Sequence, residues 1–271
     1  MYNEILSIGP VTNNGYGLMI GIGVMVALLM GDYRAMNKGL IGDLIFGLTI
    51  TTVILGFLCA RVLFILTEWK AFLADPKAFI TGSGFVVYGG IIGGLLVIYG
   101  YCKIKKMDFL AYLDLMVPSV AMAQGFGRIG CFLAGCCYGK ETDCFLGVTF
   151  TNSAFAPNGV SLLPSQLFMA AGDFVIAAVL IWFAAKKPLK GKVSALYLIL
   201  YSIGRFLVEF TRNDDRGTVG ALSTSQFIGI FILVFGILMY FVLLPKFVKP
   251  NPVEKKALEA ANSTEEKTDG E

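Results

Sequence analysis

The chain has 271 residues, of which 56% are hydrophobic and 15% charged, against the roughly 45–50% apolar and about 25% charged of an ordinary soluble domain. That excess excludes a water-soluble globule, and a formal net charge of +3 is too small to point to nucleic acid as a partner. Histidine is absent, which excludes histidine-based zinc sites, haem ligation through histidine and any Ser-His or Cys-His nucleophile.

Residues 1–15 carry no Lys or Arg and include Pro10 and Asn13, so they lack the basic start of a cleaved signal peptide; an interfacial segment that stays attached is predicted. Long apolar runs follow at 16–30, 41–66, 84–101, 109–133, 166–185, 193–210 and 226–244. Each is close to or above the length of about 20 residues that crosses a bilayer as a helix. The runs are continuous and lack the alternation of lipid-facing barrel strands, so helices are expected. Of the 22 basic residues, fourteen fall on one side: Arg34, Lys38, Lys103, Lys105, Lys106, Lys186, Lys187, Lys190, Lys192, Lys246, Lys249, Lys255, Lys256 and Lys267. Lys70, Lys77, Lys140 and Arg216 lie on the other, and Arg61, Arg128, Arg205 and Arg212 lie in or at the ends of spans. By the positive-inside rule the N-terminus is outside and the C-terminus cytoplasmic, which requires an odd number of crossings. The predicted fold is an all-α integral membrane protein with seven transmembrane helices, its membrane domain covering 1–249. Residues 250–271 are rich in Glu, Lys, Ala, Ser and Thr and lack aromatics; they are expected to form a disordered cytoplasmic tail. No internal repeat of the transporter kind is visible, and the long outer loop at 135–164 is where a site is expected to open.

An ionisable group inside a membrane helix is costly and points to function by default. In the sixth run, Tyr201, Arg205, Glu209 and Arg212 are spaced by four, four and three residues, which puts them on one stripe of a helix. Arg205 and Glu209 could simply pair and hold helices together, with Arg212 at the interface; four polar residues in register at the outer end favour a site for an anionic group. The fourth run ends in Gln124-Gly-Phe-Gly-Arg128-Ile-Gly-Cys131, with further glycines at 135 and 139. Glycine alone is weak evidence, being ordinary in membrane helix packing, but glycine around a buried arginine leaves room for a headgroup. Tyr88 is followed by Gly89, Gly90, Gly93 and Gly94, a repeated small-x3-small spacing that predicts close helix packing, with Tyr88 towards the outer side. Cys131, Cys136, Cys137 and Cys144 cluster at or beyond the outer end of the fourth run, whereas Cys59 and Cys102 read as small apolar residues. For the outer four the readings, in order, are packing or a disulfide such as Cys136 or Cys137 with Cys144, then a reactive thiol, then a metal site.

Taken together these blocks resemble the bacterial prolipoprotein diacylglyceryl transferase family over essentially all of 16–244. Tyr16-Gly-Leu-Met resembles the first-span motif and Ala60-Arg61 the second, while Tyr88-Gly-Gly-Ile-Ile-Gly-Gly is similar to the family's His-Gly-Gly-Leu-Ile-Gly segment. Leu113-Asp-Leu-Met-Val-Pro followed by Gln124-x2-Gly127-Arg128-Ile-Gly matches the family signature, Pro164-Ser-Gln-Leu another block, and Tyr201, Arg205, Glu209 and Arg212 the sixth-span pattern. The resemblance implies seven transmembrane helices in the bacterial inner membrane and no cofactor or metal. It also implies transfer of the diacylglyceryl group of phosphatidylglycerol to the lipobox cysteine thiol of a preprolipoprotein signal peptide, releasing glycerol phosphate. The partners would be phosphatidylglycerol, preprolipoproteins and membrane lipid. Arg128 and Arg205 would bind the phosphate, Glu209 would orient Arg205 or act as base, and Tyr88 would stand at the position of a candidate catalytic histidine. Tyr16, Arg61, Gln124, Gly127, Gly139, Tyr201, Arg212, Gly89 and Gly90 would line the substrate site. The chain departs from the pattern at Cys131, Ala134 and Cys136, which replace Asn, Asn and Glu, at Leu162-Leu163, which replace Arg-His, and at Met169, which replaces Glu. The alternative is a non-enzymatic membrane protein on the same scaffold that binds or passes a small anionic or thiol-bearing compound.

Overall fold

The computed structural model describes residues 6–8, 11–13, 15–37, 42–81, 84–214, 217–220 and 222–248. The predicted tail at 250–271 lies outside the described residues. A short antiparallel pair, β1 (Leu6–Ile8) and β2 (Val11–Asn13), precedes helices α1 (Gly15–Asn37), α2 (Gly42–Thr67), α3 (Trp69–Ala74), α4 (Pro76–Thr81), α5 (Val87–Ile104) and α6 (Phe109–Ala134). The hairpin β3 (Val148–Thr149) and β4 (Ser161–Leu162) leads to α7 (Ser165–Ala185) and α8 (Lys192–Glu209). A second small hairpin, β5 (Thr218–Val219) and β6 (Leu222–Ser223), starts α9 (Thr224–Leu238), which continues through a π-helical segment at Met239–Leu243 into α10 (Leu244–Phe247).

Among the described residues, six helical stretches are long and apolar enough to cross a membrane: α1, α2, α5, α6, α7 and the α9–α10 helix. Helix α8 carries Lys192, Arg205 and Glu209 and is the least apolar of the long helices. Large apolar side chains such as Leu29, Ile54, Phe57, Leu96, Phe231 and Phe241 stand exposed, as they must in a bundle whose solvent is hydrocarbon.

The chain divides into two compact units, one of 1–29 with 114–271 and one of 30–113. In the second unit α2 packs against α5 through the predicted glycines. A Cβ on Gly89 would sit 2.7 Å from the Cys59 carbonyl oxygen and 2.7 Å from Leu63 Cβ, while one on Gly90 would sit 3.5 Å from the Gly56 oxygen. In the first unit α1 and α6 approach at Gly23 and Gly130. A Cβ on Gly23 would lie 3.1 Å from the Ala123 oxygen, and one on Gly130 would lie 3.1 Å from Tyr16 Cδ2 and 3.2 Å from Met19 Cβ.

Helix α8 begins on a buried carboxylate. Asp114, 5% exposed, accepts hydrogen bonds from the Gly191 N–H at 2.6 Å, the Ser194 N–H at 2.8 Å and the Ser194 hydroxyl at 2.6 Å. An anion at the positive end of the helix satisfies donors that have no partner inside it, so Asp114 ties α6 to the start of α8. Asp114→Ala is expected to lower stability by about 3 kcal/mol, the scale of charge-assisted bonds lost with a buried partner, measured as a fall in the thermal midpoint of the detergent-solubilised protein.

Candidate active site

Three segments of the first unit converge beyond the ends of α6, α7 and α8. The Gly139 N–H donates to the Leu163 carbonyl at 3.0 Å, Lys140 N–H to Thr211 O at 2.9 Å, and Asn213 N–H to Tyr138 O at 3.2 Å, with Gly139 and Arg212 paired as an isolated antiparallel bridge. Gly139 is required there because a Cβ would lie 2.8 Å from Leu163 Cβ and against the Leu163 oxygen and Ser165 Oγ. The loop expected to frame the site is ordered around a small core of Phe150, Ala156 and Leu162, with Phe132, Tyr138 and Val160 packed on it.

The predicted stripe on the sixth span holds for Tyr201, Arg205 and Glu209, which lie on α8. Arg205 Nη1 makes an ion pair with Glu209 Oε2, and Nη2 donates to Ser225 Oγ at 2.9 Å. Arg212 departs from the stripe: the helix ends at Glu209, and the chain turns so that Arg212 joins the bridge with Gly139. Its guanidinium, buried rather than at an interface, binds Asp214 with Nε to Oδ1 at 3.0 Å and Nη2 to Oδ2 at 2.7 Å, and Nη1 reaches Met169 Sδ at 3.9 Å. Met169, the replacement for the family's Glu, thus gives Arg212 a thioether and leaves it to Asp214.

Arg128, on α6, makes no hydrogen bond or ion pair among the described residues, unlike Arg205 and Arg212. It is only partly exposed and stands within electrostatic reach of Tyr201, Cys131, Cys137 and Asp173. Arg205 and Arg212 lie near enough for Arg128 to act on both. Three guanidiniums in this poorly solvated region repel one another, and an anion placed among them relieves that repulsion. A Cβ on Gly127 would meet nothing within 4 Å, so the glycine beside Arg128 leaves open space. Gln124 accepts a hydrogen bond from the Tyr197 hydroxyl at 2.6 Å, and Tyr197 stacks on Tyr201 with ring centroids 5.6 Å apart. Tyr16, 43% exposed at the start of α1, also lies within reach of Arg128.

A groove runs between α7 and α8, lined by Phe168, Met169, Gly172, Asp173, Ile176, Tyr201, Gly204, Arg205 and Val208. A Cβ on Gly172 or Gly204 would meet nothing within 4 Å; these glycines hold the groove open rather than permit packing. Asp173 is a site residue that the motif reading missed. It is 5% exposed, has no hydrogen-bond partner among the described residues and faces the Arg128 charge. The signal was present in the sequence, since an aspartate in the middle of an apolar run meets the same criterion that selected the arginines.

Arg61, Tyr88, Gly89 and Gly90 belong to the second unit. Arg61 donates to the Gly84 and Phe79 carbonyls and lies over the Phe85 ring at 5.2 Å and the Phe64 ring at 5.7 Å, which gives it a part in holding the start of α5. Tyr88 is 44% exposed in the first turn of that helix.

All six cysteines are free thiols. The neighbour of Cys136 and Cys137 is Cys131 rather than Cys144: the three Sγ atoms lie within 4.8 Å of one another, and Cys144 is exposed. Hydrogen bonds among the three thiols act in opposite senses on the two loop members. They push the Cys136 thiol up, with burial adding to the effect, and pull Cys137 down, outweighing burial and assisted by Arg212 and Arg128.

Residues 3–242 match the family model described as prolipoprotein diacylglyceryl transferase. The chain is 51% identical over 228 residues to phosphatidylglycerol–prolipoprotein diacylglyceryl transferase 2 of Clostridium perfringens, covering 83% of this chain and 89% of the relative. It is 48% identical over 227 residues to the corresponding transferase of Clostridium tetani, covering 83% and 91%. It is 33% identical over 259 residues to that of Teredinibacter turnerae, covering 87% and 88%.

Proposed function

The chain belongs to the prolipoprotein diacylglyceryl transferase family, and from that premise we propose that it moves the diacylglyceryl group of phosphatidylglycerol onto the lipobox cysteine of a preprolipoprotein signal peptide. In this reading it is a multi-pass protein of the bacterial inner membrane with α8 as its seventh crossing, the N-terminus outside and the C-terminus in the cytoplasm. The observation that carries the reading is Arg128, an arginine with no hydrogen bond or ion pair among the described residues and within electrostatic reach of Tyr201 and Asp173, which line the α7–α8 groove.

The lipid enters with its acyl chains along the α7–α8 groove and its phosphate towards Arg128 and Arg205. The thiolate of the peptide cysteine attacks the diacylglyceryl carbon; a C–S bond forms, the C–O bond to phosphate breaks, and glycerol phosphate leaves with the bonding pair. Charge grows on the departing phosphate, so fixed guanidiniums stabilise the transition state more than the ground state. Glu209 is the positioning residue that holds Arg205. Asp173 takes the thiol proton, since the Glu209 carboxylate is engaged with Arg205 and Asp173 faces the phosphate site. Tyr16, Gln124, Gly127, Gly139, Tyr201 and Arg212 frame the headgroup.

Asp173→Asn is expected to lower kcat by about 10²–10⁴-fold, the usual worth of a general base. The deficit should shrink as pH rises towards the ordinary thiol pKa of about 8.5, where the nucleophile ionises unaided; a pH-independent deficit contradicts the assignment. The function itself is tested by expression in cells depleted of their own transferase, with diacylglyceryl-modified lipoprotein read as a mass shift. Unmodified lipoprotein despite membrane insertion favours the non-enzymatic reading.

A further inference from the structure

Cys131, Cys136 and Cys137 take no part in the reaction above, yet the chain is bent to bring them together. Helix α6 ends after Ala134, and Gly135 takes a left-handed φ of 76°. The Cys136 N–H then reaches back to the Cys131 carbonyl at 3.1 Å, the six-to-one bond of a Schellman ending. Cys137 is itself left-handed, with φ of 59°, a conformation that costs a residue with a β-carbon about 1–2 kcal/mol and that collects at sites held by their surroundings. Two further bonds fix the loop: Gln166 Nε2, fully buried, donates to the Cys136 carbonyl at 2.7 Å, and Asn213 N–H donates to Tyr138 O. The outcome is three sulfurs within 4.8 Å of one another, one buried and two partly exposed.

Metal–thiolate bonds of about 2.3 Å place three sulfurs around one ion about 4.0 Å apart, so the cluster needs only to contract by tenths of an ångström. The donor set is all sulfur, which selects soft cations such as Cu(I) or Zn(II) over Mg²⁺ or Ca²⁺. Arg128 and Arg212 face Cys137 and offset the negative charge that a bound tris-thiolate leaves in excess. We propose that Cys131, Cys136 and Cys137 form a three-thiolate site for one thiophilic closed-shell cation, which clamps the end of α6 next to Arg128. Binding is an exchange of thiol protons for the ion, with no change of oxidation state. It does not depend on the transferase assignment.

The test uses the full chain in detergent, reduced and anaerobic, titrated with Cd²⁺ as an ultraviolet-visible probe and with Cu(I) and Zn²⁺ as competitors. The thiolate-to-metal charge-transfer band is expected to saturate at one equivalent per chain. Cys131→Ser and Cys137→Ser should each weaken binding by at least about 100-fold, whereas a combined Cys59→Ser, Cys102→Ser and Cys144→Ser variant should bind as wild type. Because a core serine can also disturb folding, the wild-type protein provides a second readout: Cd²⁺ should protect Cys131, Cys136 and Cys137 from iodoacetamide while leaving Cys144 reactive, as mapped by mass spectrometry. A band that does not saturate, uniform alkylation with and without Cd²⁺, or binding unchanged by Cys131→Ser overturns the proposal.

Discussion

Arg128→Gln is expected to lower diacylglyceryl transfer by at least about 10²-fold, the cost of one well-placed transition-state donor, with the thermal midpoint unchanged. The two halves of that expectation have one cause. Arg128 makes no hydrogen bond or ion pair among the described residues, so its removal breaks none, and the repulsion with Arg205 and Arg212 that it relieves offsets the loss of the charge facing Asp173. Arg205 behaves otherwise: its removal breaks the ion pair with Glu209, which is 9% exposed, and breaking a buried pair destabilises by about 3–5 kcal/mol. Rate assays in mixed micelles together with thermal melts of the same preparations separate the two. A destabilised Arg128→Gln protein, or one with undiminished rate, contradicts the role given to Arg128.

Gly204→Leu tests the groove. Nothing lies within 4 Å of a Cβ at Gly204 or at Gly172 across the way, so a leucine projects into the space reserved for an acyl chain. Replacing glycine inside a helix also stabilises the helix by up to about 1 kcal/mol, so stability should hold or rise while lipid binding falls. A clash on the scale of overpacking, about 1–3 kcal/mol, corresponds to an increase of about 5- to 150-fold in KM for phosphatidylglycerol, with a smaller effect on KM for the peptide. Unchanged KM values would place the lipid elsewhere.

The spans were legible in the sequence because bilayer thickness sets the length of an apolar run, and six of the expected seven satisfy length and hydropathy as helices. The pairing of Arg205 with Glu209 was legible because helical spacing is local. Arg212 escaped the same reasoning: its place depends on a bridge to Gly139, formed only when segments far apart in sequence meet. Asp173 was visible as a charge in an apolar run but lay in no motif. For the cysteines, spacing revealed the cluster at the end of α6 but not its pairing, since the left-handed turns at Gly135 and Cys137 aim the loop thiols at Cys131 instead of Cys144. The motif at Arg61 points to a substrate ligand but does not reveal its hydrogen bonds to the Gly84 and Phe79 carbonyls or its stacking on Phe64 and Phe85, which depend on the chain beyond α2.

Diacylglyceryl transfer can be followed in one preparation by reconstituting the chain in phosphatidylglycerol vesicles with a synthetic lipobox peptide and tracking the peptide by mass spectrometry. The expected product is a peptide heavier by one diacylglyceryl group in thioether linkage, with glycerol phosphate released in equal amount, and both products should be lost with Arg128→Gln. A peptide of unchanged mass beside correctly folded wild-type protein would contradict the transferase assignment.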